Sequence, residues 1–170
     1  YAYPMKKVEY MAGRFFGSLI YTWIIFLSLP LGIMLGSWLG PAFGWIDAAR
    51  FTSFNGLSYL NTFLLLIVPN TFFGGAIFFT LATLSRKMIY SYFGNVLLLV
   101  LYIWAISNVS DIDNRWLTSL IDPFGILPFT NITRYWTTAE INTLQVPFTA
   151  DLLVNRIVWL LTGFVILLTG

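Results

Sequence analysis

Four long apolar runs divided by short polar stretches set the pattern of this chain. They cover Phe15 to Leu39, Leu57 to Leu84, Met88 to Val109 and Leu152 to Thr169. A helix needs roughly 20 predominantly apolar residues to cross a bilayer, so each run predicts a membrane span. Only the charged turn Ser85-Arg86-Lys87 divides the second run from the third.

Within and between the runs, smaller patterns add detail. Val8, Met11 and Ala12 recur at helical spacing and predict a short interfacial helix ahead of the first span, with Tyr1, Tyr3 and Tyr10 at headgroup level. Inside that span Ser28, Gly32, Gly36 and Gly40 recur every fourth residue. They form one stripe of small residues that lets another helix approach closely. A helix–helix seam is the plain reading, and a moving gate on the same seam is the sharper one. Pro30 predicts a kink, and Gly40-Pro41-Ala42-Phe43-Gly44 predicts the end of the helix, with Trp38 and Trp45 marking an interface. The second run would be about 42 Å long as a helix, at 1.5 Å per residue, which exceeds the hydrocarbon thickness. Pro69, followed by Asn70 and Gly74-Gly75, is the expected break.

The stretch from 110 to 151 predicts short amphipathic helices resting on the membrane surface. Asp111 and Asp113 can cap a helix whose apolar face is Trp116, Leu117, Leu120 and Ile121, and Asp122-Pro123-Phe124-Gly125 stops it. Thr137-Thr138-Ala139-Glu140 has capping-box spacing. Pro147 separates this segment from the last span, which Asp151 opens. Arg156 lies one turn in. Its simplest reading is snorkelling to the headgroups, the rarer alternative being pairing with a buried carboxylate. The fold class expected is therefore all-α, one polytopic transmembrane helix bundle of four spans with short amphipathic surface helices.

Composition narrows the class further. Of 170 residues 58% are hydrophobic and only 9% charged, too few to cover a globular surface in water, where roughly 25% is usual. The net charge of +2 is too small and scattered for nucleic acid binding. With no cysteine and no histidine, thiolate catalysis, disulfides and imidazole chemistry are excluded for this stretch. No phosphate-binding loop, zincin motif or nucleophile elbow occurs, so no enzymatic activity and no metal or cofactor is expected. The chain begins at Tyr1 without an initiator methionine and stops while still apolar, which reads as a segment of a longer polypeptide.

Charge also sets an orientation. Four spans place residues 1–14 and the Arg86-Lys87 turn on one side, with Lys6, Lys7, Arg14, Arg86 and Lys87 against Glu9. The other side carries Arg50, Arg115, Arg134 and Arg156 against six carboxylates. Five basic residues concentrated in short flanks put the first side in the cytoplasm and the 110–151 segment outside it. Asn61, Asn70 and Asn95 are the most polar side chains in the spans. They read either as interhelical hydrogen bonds, worth about 0.6 and at most about 2 kcal/mol each, or as the lining of a polar path. Asn108-Val109-Ser110 and Asn131-Ile132-Thr133 match the glycosylation pattern, which is common by chance.

Several of these patterns together resemble a known family. Pro4-Met5-Lys6-Lys7-Val8-Glu9-Tyr10-Met11-Ala12-Gly13-Arg14-Phe15 is similar to the segment that leads into the third membrane helix of type-2 ABC exporter permeases. Leu81-Ala82-Thr83-Leu84-Ser85-Arg86-Lys87, Asp122-Pro123-Phe124-Gly125, Arg134-Tyr135-Trp136-Thr137 with Glu140 and Asn142-Thr143, and Asn155-Arg156 leading into Trp159 add to it. They resemble the permease portion of bacterial proteins, common in Bacteroidota, in which such a domain is fused to a zinc aminopeptidase. The resemblance implies that the four spans are helices three to six of a six-helix half in a bacterial inner membrane. It implies a separate ATPase subunit docking on the face of Lys6, Lys7, Glu9, Arg86 and Lys87, and other membrane subunits alongside. None of the peptidase's motif residues is in this sequence. A structural or accessory subunit of a larger membrane complex is the alternative, which the glycine stripe and the aromatic 110–150 segment serve equally.

Overall fold

The computed structural model describes residues 5–47, 49, 55–109 and 114–169. All regular structure among the described residues is helical. Four helices are long and apolar enough to cross a membrane: Lys7–Ala42, Gly56–Ser85, Ile89–Val109 and Ala150–Thr169. The protein is an all-α membrane protein. Its chain divides into two compact units, Tyr1–Ile67 and Val68–Gly170.

The first unit contains α1 (Lys7–Ala42), α2 (Gly56–Thr62) and a π-helical segment, Phe63–Ile67. α1 is one uninterrupted helix, about 54 Å at 1.5 Å per residue, so the separate interfacial helix expected around Val8–Ala12 does not exist. The physical reason is that nothing between Val8 and Phe15 stops a helix. A single Gly13 costs only about 1 kcal/mol relative to alanine. At the start Glu9 closes a capping box by accepting the Lys6 amide at 3.2 Å. Hydroxyls along α1 turn back onto their own helix: Ser18 donates to the Arg14 carbonyl (2.8 Å), Thr22 to Ser18 (2.8 Å), Ser28 to Ile25 (2.6 Å) and Ser37 to Met34 (2.8 Å). Such self-satisfied groups tolerate an apolar solvent. The helix runs through Pro30 and Pro41 and ends where Gly44 takes a left-handed φ of 70°. Trp45 stacks there on Phe43 with ring centroids 5.1 Å apart.

The expected break near Pro69 takes a specific form. Proline has no N–H to give to the carbonyl four residues back, and its ring crowds that carbonyl. The chain widens to a π-helical turn over Phe63–Ile67 and resumes α geometry at Val68. That is one of the recognised ways a helix absorbs such a conflict.

The second unit comprises α3 (Val68–Ser85), α4 (Ile89–Val109), α5 (Arg115–Ile121), α6 (Ile126–Thr133), α7 (Thr138–Thr143) and α8 (Ala150–Thr169). Its central pairing is α3 on α8. The two run in the same direction, since Asn70 meets Arg156, Phe73 meets Trp159, and Thr80 donates to the Ile166 carbonyl at 3.3 Å. Gly163 lies close against α3, where a Cβ would sit 3.1 Å from the Phe72 ring. α4 packs on the other flank of α3, with the Ser91 hydroxyl donating to the Phe78 carbonyl at 3.2 Å. Arg86 adopts φ 55° in the turn between α3 and α4, an uncommon conformation for a residue with a Cβ.

The segment after α4 differs from the expectation in its cap. Asn114 caps α5, accepting the amides of Trp116 (3.2 Å) and Leu117 (3.4 Å), while Asp111 and Asp113 lie outside the described residues. The buried side of α5 is Thr118 and Ser119, leading to buried Asp122, whereas Trp116, Leu117 and Ile121 are exposed. Leu120, the fourth residue of the expected apolar face, is half-buried. The capping box of α7 forms as its spacing predicts, with Glu140 accepting the Thr137 amide at 2.7 Å.

Candidate functional site

The residues most deeply buried in the second unit are largely polar. Asn155 is fully buried, Asp122 and Ser119 are 2% exposed, and Arg156 is 3% exposed. They come together because α8 presents Asn155, Arg156 and Trp159 to the end of α5 and to the turn Asp122-Pro123-Phe124-Gly125. α3 supplies Asn70 from the other side.

Arg156 is the centre. Its NH1 donates to Asn70 Oδ1 at 2.8 Å and to the Phe124 carbonyl at 3.1 Å. NH2 reaches the Pro123 carbonyl at 3.4 Å, and Nε donates to Asn155 Oδ1 at 2.9 Å, an oxygen NH2 also shares. The guanidinium thus spends its planar fork on neutral oxygens, with Asp122 the carboxylate whose field reaches it. Asn155 Nδ2 donates to the Ser119 and Asp122 carbonyls, the latter at 2.8 Å. Asn70 Nδ2 gives a further bond to the Phe124 carbonyl at 3.0 Å, and Trp159 Nε1 donates to the Leu120 carbonyl at 2.9 Å. Asp122 completes the set by accepting the amides of Phe124 (2.9 Å) and Leu127 (2.6 Å).

Two helix ends meet at this turn, and each is supplied with partners. The last carbonyls of α5, Ser119 and Leu120, accept from Asn155 and Trp159, the turn carbonyls Pro123 and Phe124 face the Arg156 cation, and an opening amide of α6 faces the Asp122 carboxylate. Gly125 holds φ 71° between them, and a Cβ there would overlap the Arg156 guanidinium. Tyr102 of α4 closes the turn from outside, its ring edge-on to Phe124 with centroids 4.7 Å apart. Its hydroxyl is buried on the side of Asp122.

Arg156 therefore does not snorkel. Its side chain turns inward onto the Pro123 and Phe124 carbonyls of the turn and the Asn70 and Asn155 side-chain oxygens. Of the three span asparagines, only Asn70 belongs to the cluster. Asn95 is exposed on α4, and Asn61 is half-buried in α2 of the other unit. The stripe on α1 is uncovered. Among the described residues nothing lies within 4 Å of a Cβ built at Gly32 or Gly36, Ser28 is exposed, and Gly40 is covered by Ile46 of its own turn. Lys6, Lys7 and Glu9 stand exposed at the head of α1, and Arg86 and Lys87 stand exposed in the α3–α4 turn of the other unit. Residue patterns gave Asp122 only a part in ending α5 and assigned no role to Asn155 or Ser119. The available signal was an Asn-Arg pair inside an apolar run, together with an Asp-Pro-x-Gly turn bearing an unpaired acid.

The cluster holds a folded turn in place. Every donor of the guanidinium is directed at protein oxygens, which leaves a structural clasp and not an open binding pocket. No protein-family model matches the chain, and no curated protein and no solved structure shows significant similarity to it. What the fold and the cluster define is a polytopic helical membrane protein with a buried arginine clasp.

Proposed function

We propose that this chain is the membrane-spanning part of an ABC-type exporter permease, which moves its substrate by conformational change driven by separate ATPase subunits. The observation that carries the reading is the clasp itself. Asp122-Pro123-Phe124-Gly125, Asn155-Arg156 and Trp159 are among the motifs by which the chain resembles that family, and they are far apart in sequence yet meet in one buried cluster. Shared motifs that converge on one constellation are stronger support than the same motifs scattered among apolar helices. In this reading the cluster is a rigid joint, and the exposed Lys6, Lys7, Glu9, Arg86 and Lys87 face an ATPase in the cytoplasm of a bacterial cell.

The test is purification of the full-length protein from its own membrane in mild detergent, with identification of stoichiometric partners and ATP hydrolysis assayed after reconstitution. An associated nucleotide-hydrolysing subunit, with hydrolysis weakened by Arg86→Glu and Lys87→Glu together, is expected. Stoichiometric association with a respiratory or photosynthetic assembly and no ATPase would instead establish the accessory-subunit alternative.

A further inference from the structure

We propose that the start of α1 is a headgroup-selective lipid site, in which Arg14 binds the phosphate of an anionic phospholipid and the groove below it takes an acyl chain. The site belongs to the first unit alone, and it does not depend on any transport role.

Depth is the first argument. At about 54 Å, α1 is far longer than a hydrocarbon layer of about 30 Å, and a tilt of about 20° shortens its span only slightly. Part of the helix therefore stands in the headgroups or beyond them. Its charged positions, Lys7, Glu9 and Arg14, all precede the apolar run from Phe15, so Arg14 is the charge nearest the hydrocarbon boundary. Tyr10, one turn before it, is a residue type that favours that level.

The second argument is shape. Gly13, Arg14, Gly17, Ser18, Tyr21 and Thr22 line an open groove of about 490 Å³, a size within the roughly 300–1,000 Å³ of small-molecule sites. It descends about 14 Å along the helix at 1.5 Å per residue. Among the described residues nothing lies within 4 Å of a Cβ built at Gly13 or Gly17. The buried positions of this stretch, Phe15 and Leu19, are elsewhere, Leu19 about 160° round the helix from Gly17 at 100° per residue. Ser18 and Thr22 give their hydroxyl protons to the carbonyls of Arg14 and Ser18, both at 2.8 Å. Below Arg14 the groove therefore suits a hydrocarbon chain.

The third is charge. Lys7 lies about 20° round the helix from Arg14 and about 10 Å along it, so two exposed cations stand on one line at the head of the groove. Glu9, the one acid in α1, lies about 140° away from Arg14 and accepts the Lys6 amide at 3.2 Å. The Arg14 fork meets Tyr10 of its own helix, with NH1 3.4 Å from the phenol oxygen and the guanidinium 5.7 Å from the ring centroid. A neutral ring leaves the charge uncompensated, and a planar fork matches a phosphate. A protein helix laid in the groove would need its own anion at the edge of the layer. An anionic lipid carries one at that depth, with an acyl chain below it.

The full-length protein is reconstituted in phosphatidylcholine vesicles doped with phosphatidylglycerol or phosphatidylcholine that carries a diazirine near the head of one acyl chain. After illumination, peptide mass spectrometry reads the label at residues 13–22. The exposed face of α4 around Leu99 and Ile103 is the reference for unselective lipid contact and for intact folding of each variant. Phosphatidylglycerol is expected to label 13–22 about fivefold more than phosphatidylcholine does, the enrichment expected from one basic residue at the headgroups, and to label α4 equally. Arg14→Gln should remove the excess and Arg14→Lys should keep part of it. Gly17→Leu, which fills the groove at an exposed position, should lower labelling by both lipids. Equal labelling of 13–22 by the two lipids, or an excess that survives Arg14→Gln, overturns the headgroup selectivity. Absence of label from either lipid overturns the lipid assignment and shows a protein partner or a second copy covering the face.

Discussion

α1 and α8 are both apolar enough to cross a membrane, yet they are tied to the rest of the fold in opposite ways. α1 satisfies its serines and threonines on its own backbone and leaves Ser28, Gly32 and Gly36 open. α8 sends Asn155, Arg156 and Trp159 outward to other segments and buries the first two almost completely. Apolar content decides that both are helices. It cannot decide what they pack against, because in lipid one apolar surface is as good as another. Polar side chains with only one set of available partners make that decision, and the second unit has them.

The sharpest way to break this contrast is at the clasp. Arg156→Leu strips donors from Asn70, Asn155 and the Pro123 and Phe124 carbonyls in a buried site. At about 1–3 kcal/mol for each buried polar group left unpaired, a loss of about 3 kcal/mol or more is expected in denaturant unfolding from mixed micelles. Arg156→Lys keeps the charge but not the fork, and is expected to fall between the two. Ser18→Ala on α1, which removes a bond the helix makes to itself, is expected to change stability by less than about 0.5 kcal/mol. Equal effects from Arg156→Leu and Ser18→Ala would remove the distinction between the helices.

Glycines offer the next test. Gly125→Ala meets two obstacles, a left-handed backbone and the Arg156 guanidinium, and is expected to destabilise by about 2 kcal/mol in the same assay. Gly36→Ala meets open space in an exposed helix and is expected to stabilise α1 by about 0.5–1 kcal/mol. If Gly36→Ala instead destabilises the protein or lowers its oligomeric state, the stripe is a seam for another helix, and the contrast becomes one between internal and external partners.

Particular residues show how far the chain could be read without coordinates. The four spans were legible because long apolar runs have few alternatives, and observed helix ends lie within three residues of the expected ones except at the start of α1. There, the interfacial helix merged with the span because a period of apolar residues contains no stop signal. The Pro69 conflict was legible, but its resolution as a π-helical turn was not, since several backbone adjustments relieve the same clash. Arg156 was read outward because snorkelling is the usual answer for a lone basic residue near a span end. The carbonyls that turn it inward belong to a turn more than 30 positions earlier, and no local pattern reports them.

The smallest expected effect tests the one charged cap in this region that sits outside the spans. Glu140 accepts the Thr137 amide at 2.7 Å and the Thr137 hydroxyl at 2.8 Å, and these bonds, the amide first, hold its carboxyl below the usual glutamate range. A carboxyl with a lowered folded-state value stabilises its structure above the ordinary glutamate pKa, and that contribution disappears as pH falls through the lowered one. Acidification is therefore expected to fray α7, seen as a shift of the Thr137 amide resonance titrating below the range of a free glutamate. Glu140→Gln should abolish the titration while keeping the cap's geometry in part.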